Sequence, residues 1–162
     1  MPKDYLESSG QPGEGTQAWS RPSDLIEDMW GLVPRIDLVV AEDGVRYEER
    51  QLPAIALTKA SMVAKGVTAS DGLVCWTATD AAMSPFIQAG DLVLLDTKQT
   101  AVLDGEVYAL RNAAHVRIRR LNRTFDGGLL MRSDNPLFPD ETLPAEHVTP
   151  ALVLGRVIHR AG

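Results

Sequence analysis

TDAAMSPFIQAGDLVLLD, residues 79–96, decides how the fold of this 162-residue sequence is interpreted. The stretch begins with small residues, turns at Pro85, crosses Gly90-Asp91 and ends in an apolar run, residues 92–95. Small residues and proline favour a turn, and a short apolar run bounded by turn residues is typical of a buried strand. We therefore predict a loop, a turn and a core strand. The loop has no hydroxyl group at the position before Met83.

The composition favours one domain with a core of its own. Hydrophobic residues make up 44% of the sequence, and no apolar run approaches the ~20 residues of a membrane span. The N-terminal residues contain no apolar stretch typical of a secretory signal, and the only cysteine, Cys75, excludes an internal disulfide. We therefore expect a cytoplasmic protein that does not associate with a membrane.

Charge is unevenly placed along the sequence. Residues 1–50 contain 11 acidic and 5 basic residues, which accounts for the whole formal net charge of −6. Residues 51–162 contain 11 of each and are neutral. A neutral domain behind an acidic arm lacks the basic surface that grips a DNA backbone. We therefore expect no direct nucleic-acid binding by this chain.

The sequence divides into an arm, residues 1–34, and a domain, residues 35–162. The arm is rich in Gly, Pro, Ser and charge, which indicates a flexible linker, with one short helical turn predicted over residues 24–31. Trp19 and Trp30 are either anchors that dock the arm on the domain or contacts to a partner. Both interpretations remain open from the sequence.

The domain consists mainly of short β-rich segments separated by turn residues. The predicted strands are residues 35–40, 73–79, 91–96, 106–111, 115–121, 128–133 and 151–159. Residues 52–65 predict a short helix or an irregular segment, and Gly155 indicates a β-bulge or a close backbone approach. This pattern predicts a mostly β fold of curled antiparallel hairpins with little helix.

Six short motifs, taken together in their order and spacing, give a more specific indication of a family than any one motif alone. They are DAAMSP (80–85), GDLVLLD (90–96), DGEVYAL (104–110), IRRL (118–121), SDNP (133–136) and GRVI (155–158). Over residues 73–160 the sequence resembles the C-terminal domain of LexA and lambda-type phage repressors, which are self-cleaving Ser-Lys peptidases. The resemblance implies a LexA/signal-peptidase-like fold. The residues that carry its loop and fold motifs are Asp80, Met83, Pro85, Gly90, Asp91, Ser133, Asp134, Asn135 and Pro136.

The departures from the family pattern concern its chemistry. The resemblance puts the nucleophilic serine at the position of Ala82 and the general-base lysine at the position of Arg119. A lysine can be kept neutral by desolvation, whereas a guanidinium stays protonated. The glycine that starts the family's loop is Asp80, and residues 40–44 contain no Ala-Gly or Cys-Gly bond to cut. The sequence therefore predicts a pseudo-peptidase.

No other residues form a convincing active site. Ser84 lies beyond the methionine, and the family pattern gives it only a turn role. Lys98 follows a predicted strand and is interpreted as a solvated loop charge. His115, His147 and His159 have no metal-ligand spacing, and no Gly-rich phosphate loop is present. We expect neither a metal nor another cofactor.

A basic segment, residues 111–132, contains six arginines and one acidic residue. The simplest interpretation is a solvated hairpin face. A sharper one places Arg119 in the former catalytic cleft, paired with an acid such as Asp80, and phosphate binding is a third.

The sequence thus predicts a non-cleaving regulatory and oligomerisation domain of a phage-repressor-like transcription regulator. No helix-turn-helix segment is recognisable in residues 1–50. Expected partners are a second copy of the chain, as a homodimer or higher oligomer, an intact repressor, or an antirepressor protein. The alternative is an ordinary self-cleaving repressor domain whose serine has been replaced by Ala82, although one replacement would explain neither Arg119 nor the missing cleavage bond.

Overall fold

The computed structural model of the chain describes residues 30–33, 36–41, 44–49, 55–67, 72–113 and 115–162. Two small antiparallel ladders come first in the chain. Strand β1 (Trp30–Val33) pairs with β4 (Ile55–Thr58), and between them in the chain β2 (Ile36–Ala41) pairs with β3 (Gly44–Glu49). Helix α1 (Lys59–Ala64) follows β4 directly, and the Thr58 hydroxyl oxygen caps it by accepting the Ser61 N–H at 3.1 Å.

The main sheet contains seven antiparallel strands in the described part of the chain. They are β5 (Leu73–Thr77), β6 (Leu92–Asp96), β7 (Val107–Asn112), β8 (His115–Arg123), β9 (Leu129–Arg132), β10 (Glu141–Leu143) and β11 (Val153–Ala161). Their order across the sheet is β10-β9-β8-β7-β11-β6-β5. The last strand therefore lies in the middle of the sheet, between β7 and β6. A 3-10 turn, Ala145–His147, precedes β11.

Strand β6 is apolar over residues 92–95 because both of its faces are covered. Val93 and Leu95 belong to one buried cluster, together with Met83 and Ile118. Leu94 points to the opposite face and belongs to a second cluster, which includes residues from β4 and α1. A strand that is buried on both faces loses the alternation of polar and apolar residues. The apolar run at residues 92–95 has this origin.

At Gly155 the backbone of strand β11 passes very close to the backbone of Asp96 and Thr97. The register against β7 shifts between Val153 and Gly155, which marks the bulge that the sequence predicts. A Cβ atom on Gly155 would lie 2.6 Å from the carbonyl oxygen of Asp96 and 3.0 Å from the Thr97 Cα. These are backbone atoms, so they cannot move aside as a flexible side chain could. Gly155 is required for this contact.

The mostly β fold is confirmed, and all seven predicted strands have counterparts. Four further strands, β1, β3, β4 and β10, are not among the predicted strands. The helical turn predicted over residues 24–31 is wrong at Trp30 and Gly31, because these residues pair with β4. Strand β10 lies between Pro139 and Pro144, outside the predicted strands. It pairs on one side only, and the open edge of a sheet tolerates neighbouring prolines.

The division into an arm and a domain stays a prediction. Most of the predicted arm, including Trp19, lies outside the described residues. Strand β1 falls within the range assigned to the arm, so Trp30–Val33, before residue 35, already belong to paired structure. The segment over residues 52–65 is a strand followed by a short helix, β4 and α1.

Substitution of Gly155 by alanine is expected to lower the free energy of unfolding by about 1–3 kcal/mol, the range for overpacking of a well-packed site. The physical reason is the clash with the Asp96 carbonyl. Urea unfolding of the wild type and of Gly155→Ala measures the effect. Gly90→Ala is the matched control, because Gly90 has positive φ but open space around its Cβ position. It reports backbone strain alone, of roughly 1–2 kcal/mol. An unchanged urea midpoint for Gly155→Ala would contradict the close approach.

Candidate functional site

The loop that leaves β5 is closed at its base by the backbone. The Ala78 N–H donates to the Asp91 carbonyl, and the Gly90 N–H donates to the Ala78 carbonyl, both at 2.8 Å. Inside the loop, Met83 and Ile87 are almost fully buried and pack in the core, while the Ile87 N–H donates to the Met83 carbonyl at 2.8 Å. Two apolar anchors and a closed base give the loop, residues 79–90, one defined shape.

Ala82 lies fully buried at the centre of this loop. Its N–H donates to Asp80 Oδ1 at 2.9 Å, and its carbonyl accepts the Asn135 N–H at 2.9 Å. The Asn135 side-chain amide also donates to the Ala81 carbonyl at 3.0 Å. One residue of the SDNP turn therefore holds two successive carbonyls of the loop. We call this pair of contacts the Asn135 clasp.

Arg119 reaches the same loop from β8. Its side chain is only 8% exposed, and Nη1 lies 3.5 Å from Asp80 Oδ2. The same Nη1 donates to the Ile118 carbonyl at 2.6 Å. The Asp80 carboxylate, which is 35% exposed, therefore contacts the backbone of Ala82 with one oxygen and the Arg119 guanidinium with the other. The two positions that the family pattern singles out are joined by one carboxylate.

This arrangement has the chemistry of a structural ion pair. An alanine side chain carries no nucleophilic atom, and an arginine stays protonated at any pH that a folded protein tolerates. The pairing of Arg119 with Asp80, which the sequence left as one of three interpretations, is present in the structure. The interpretation of a solvated face is wrong for Arg119, because its side chain is buried by the packing of β7 and β8.

The neighbouring Arg120 ties the SDNP turn to β8. Its Nε and Nη2 donate to the two carboxylate oxygens of Asp134, at 3.0 and 2.7 Å, and its Nη1 donates to the Gly105 carbonyl at 2.6 Å. The guanidinium also lies 5.6 Å from the centre of the Phe86 ring, within the range of a cation–π contact. The hydrogen bond with Asp134 raises the pKa of Arg120 above its ordinary value.

The other motif residues mostly fix loops. The Asp91 carboxylate accepts the Gln88 N–H at 2.9 Å and lies 3.3 Å from Arg160 Nη1 on β11. The Ser133 N–H donates to Asp140 Oδ1 at 3.0 Å. Pro85 follows a cis peptide bond, and Pro136 lies in an exposed turn.

The SDNP turn, residues 133–136, makes both local and long-range hydrogen bonds. Asn135 does bond its own turn, because its Oδ1 accepts the Leu137 N–H at 3.0 Å. Asp134 instead pairs with Arg120, and the Asn135 clasp crosses to a loop 54 residues earlier in the sequence. Sequence reasoning missed both long-range contacts. The recurrence of the motif in the family pattern was the only signal for them.

A small cavity lies beside Arg119, towards the turn end of the β7–β8 hairpin, with a volume of about 150 Å³. Its apolar wall is formed by Leu110, Met131, Leu143 and Leu152, and its polar wall by Arg111, Asn112, Arg117, Arg119 and Glu141. Arg117 pairs with Glu141 at 3.3 Å, and both side chains are about half exposed. The solvated-face interpretation is therefore correct for Arg117.

The side chains considered as alternative catalysts are not brought together. The Ser84 N–H donates to the Ala81 carbonyl at 3.1 Å, so Ser84 has the predicted turn role, and Lys98 is an exposed residue just after β6. His115, His147 and His159 lie on β8, on the 3-10 turn and on β11. Among the described residues, no group of three His, Cys, Asp or Glu is arranged to hold a metal ion. No helix in this part of the chain is long and apolar enough to cross a membrane.

Comparison with known proteins identifies relatives of the whole domain. Residues 39–158 match the family described as Peptidase S24-like. The repressor protein CI of Enterobacteria phage phi80 is 31% identical over 146 residues, which cover 86% of this chain and 62% of the phage protein. The HTH-type transcriptional regulator PrtR of Pseudomonas aeruginosa is 28% identical over 151 residues, 92% of this chain and 57% of the regulator. The chain thus spans about 60% of the length of these relatives.

Substitution of Asp80 by asparagine is expected to lower the free energy of unfolding by about 1–3 kcal/mol. Breaking a buried ion pair costs roughly 3–5 kcal/mol, and the partial exposure of Asp80 reduces this penalty. The double variant Asp80→Asn with Arg119→Met is expected to recover part of the loss, because it leaves no buried charge without a partner. Urea unfolding of the two single variants and the double variant gives the coupling energy.

Glu141→Gln is the matched control for that cycle, since it breaks an exposed arginine–carboxylate pair in the same hairpin region. Its expected cost is roughly 0–1 kcal/mol. Equal costs for Asp80→Asn and Glu141→Gln would show that Asp80 does not compensate a buried charge.

Proposed function

The chain belongs to the Peptidase S24-like family, and we propose that it is a regulatory and self-association domain of a phage-repressor-like transcription regulator that does not cut itself. Its named relatives are a repressor and HTH-type transcriptional regulators. One observation carries the proposal that cleavage is lost. The Asp80 carboxylate binds the backbone of Ala82 and the Arg119 guanidinium, so the positions of nucleophile and base are joined by a structural ion pair.

The proposed loss of cleavage has three independent parts. Ala82 supplies no hydroxyl group to attack a peptide bond. Arg119 cannot accept a proton, and a lysine placed there would be held in its charged form by Asp80. Residues 40–44 offer no Ala-Gly or Cys-Gly bond, and this segment runs from the end of β2 to the start of β3. Restoring any one part alone would leave the other two absent.

In this proposal DNA binding lies outside the described domain. Residues 51–162 carry equal numbers of acidic and basic residues, which gives no net attraction to a phosphate backbone. The domain would act on transcription by joining with a second copy, with an intact repressor or with an antirepressor protein. Because cleavage would not switch it off, its regulation would depend on such a partner or on a ligand.

Strand β11 offers a defined surface for self-association. It pairs with β6 along Arg156–Ala161 but with β7 only as far as Arg156. The β7-facing edge of residues 157–161 therefore has no partner strand among the described residues. An open edge presents unpaired N–H and C=O groups, which pair readily with a strand of another copy. We propose that two copies join along this edge as a homodimer.

The alternative function is self-cleavage in a natural protein that has serine at position 82. One observation favours it, since the loop is still anchored in the core by Met83 and Ile87 and a cavity still lies beside position 119. The scaffold for the chemistry is thus present, although Arg119 and its partner Asp80 stand where the family pattern has lysine and glycine.

Intact-mass spectrometry after prolonged incubation at alkaline pH separates the two functions. The wild type has no nucleophile and Ala82→Ser has no general base, so both are expected to stay whole. The double variant Ala82→Ser with Arg119→Lys is also expected to stay whole, because Asp80 would hold the new lysine in its charged form. A further variant that adds Asp80→Gly removes that carboxylate and is also expected to stay whole, since the cleavage bond is still missing. Two fragments from a cut near residues 40–44 in Ala82→Ser alone would show that the chain is a disabled peptidase.

Amide hydrogen exchange at increasing protein concentration tests the proposed edge. Amides on the β7-facing side of residues 157–161 are expected to become at least about tenfold more protected as dimers form, because exchange requires the opened, unpaired state. Sedimentation equilibrium measures the dimer fraction in the same samples. Strand β10 is the matched control, because it is an edge strand of the same sheet that lies away from residues 157–161. Dimers in which residues 157–161 exchange as fast as in the monomer would place the interface elsewhere.

A further inference from the structure

We propose that a cavity beside the second half of β11 is a binding site for a small polyvalent oxyanion, of the size of diphosphate or a tricarboxylate. The cavity has a volume of about 360 Å³, room for an anion of several atoms. It is lined by Lys65, Phe86, Glu106 and the β11 segment Arg156–Arg160. This site is separate from the Asp80–Arg119 pair, and it does not depend on the proposed self-association.

Charge in the cavity is strongly one-sided. Lys65, Arg156 and Arg160 are permanent cations at neutral pH, and His159 can become a fourth. The only acidic residue in the lining is Glu106. Residues 51–162 as a whole have balanced charge, so the excess of cations in this lining is local. Clefts lined by one sign of charge attract counter-ions of the opposite sign.

A β-bulge gathers two of these cationic residues on one face of β11. Side chains three positions apart on a regular strand, such as Arg156 and His159, point to opposite faces. The register against β6 shifts between Val157 and His159. After the shift, Arg156 lies opposite Asp96 and His159 lies opposite Leu94, two β6 residues that lie two positions apart and share one face. β-Bulges change the direction in which side chains point. This one places Arg156 and His159 on the same face of β11.

The end of α1 is fixed against the same strand. Arg156 Nη2 donates to the Lys65 carbonyl, and the Gln99 side-chain amide donates to the Gly66 carbonyl at 3.3 Å. Gln99 is itself held by the Asp96 carboxylate at 2.7 Å. These bonds hold the backbone of Lys65 beside β11. Lys65 is therefore a fixed part of the cavity lining.

Two acids near the cluster have fixed partners, and Asp91 offsets part of the positive charge of Arg160. The Asp96 carboxylate is occupied by the Lys98 N–H and by Gln99, and the Asp91 carboxylate is shared between the Gln88 N–H and Arg160. Arg156 Nε is buried and has no hydrogen-bond acceptor among the described residues. A buried donor without an acceptor is costly, and an oxyanion is a strong acceptor.

The pKa of His159 is lowered by its position in this cluster. Burial lowers its pKa first, and the positive charges of Lys65 and Arg160 lower it further. The imidazole therefore resists protonation while the cluster has no counter-ion. An anion bound among these groups would favour the charged imidazole and raise the pKa of His159. Binding would accordingly strengthen as the pH falls through that pKa.

Nuclear magnetic resonance of the histidine ring protons of the full chain tests the site. Pyrophosphate is titrated at constant ionic strength, with sodium chloride replaced as the anion is added, and His→Gln variants assign the three signals. We expect a saturable shift of the His159 signal and a rise of its pKa by about half a unit or more. The signals of His115 and His147 are expected to stay in place. A parallel titration with citrate distinguishes phosphoryl from carboxylate recognition, and saturation by either one supports the site.

Two charge-matched variants make the test specific. Lys65→Gln removes one cation from the cavity and is expected to weaken pyrophosphate binding by roughly tenfold. Arg123→Gln removes the same charge from an exposed ion pair on the β8–β9 hairpin and is expected to change the affinity less than about twofold. Thermal unfolding confirms that both variants are folded, and the wild-type His159 titration stands without them. Equal weakening by both variants, or linear shifts of all three histidine signals, would show only general ionic screening and would overturn the proposal.

Discussion

The buried charge of Arg119 is the constraint around which the central loop is arranged. A guanidinium cannot lose its proton inside the protein, so its burial requires acceptors close by. The Ile118 carbonyl supplies one, and the Asp80 carboxylate supplies the other. Because Asp80 also accepts the Ala82 N–H, the charge on β8 determines where the loop before β6 lies. The family pattern has glycine and lysine at these two positions, and here an acid and a permanent cation compensate each other.

The same loop is held from a second direction by the SDNP turn. Asn135 donates to the Ala81 and Ala82 carbonyls, and Asp134 anchors the turn to Arg120 on β8. Burying Ala82 leaves its backbone groups out of reach of water, so each of them needs such a partner. The shape of a catalytic loop is therefore maintained by hydrogen bonds and packing that do not require a nucleophile. This explains how a domain of this family can keep its fold while its chemistry changes.

Strand β11 connects the surfaces through which the domain would be regulated. Its first half is inserted next to β7, where Gly155 permits the close crossing, and its second half pairs only with β6. The open edge that remains is the proposed surface for a second copy. The cationic cluster around Lys65 and His159 lies beside this edge. Two copies joined there would bring like charges together, so an anion bound in the cavity would favour their association. Control by a ligand would suit a regulator that self-cleavage does not switch off.

The sequence by itself determined the class of the fold, and it singled out the positions predicted to depart from the family pattern. Strands β5 to β9 and β11 follow from local apolar runs bounded by turn residues, and Ala82 and Arg119 stand out against the order of the family motifs. Only the tertiary structure decided that Asp80 pairs with Arg119, that Asn135 crosses to Ala81, and that β10 forms an edge strand. Hydrophobic periodicity is a local property, because it depends only on residues that are close together in the sequence. Contacts between residues 39 or 54 positions apart depend on how the strands pack, and no local pattern in the sequence records that.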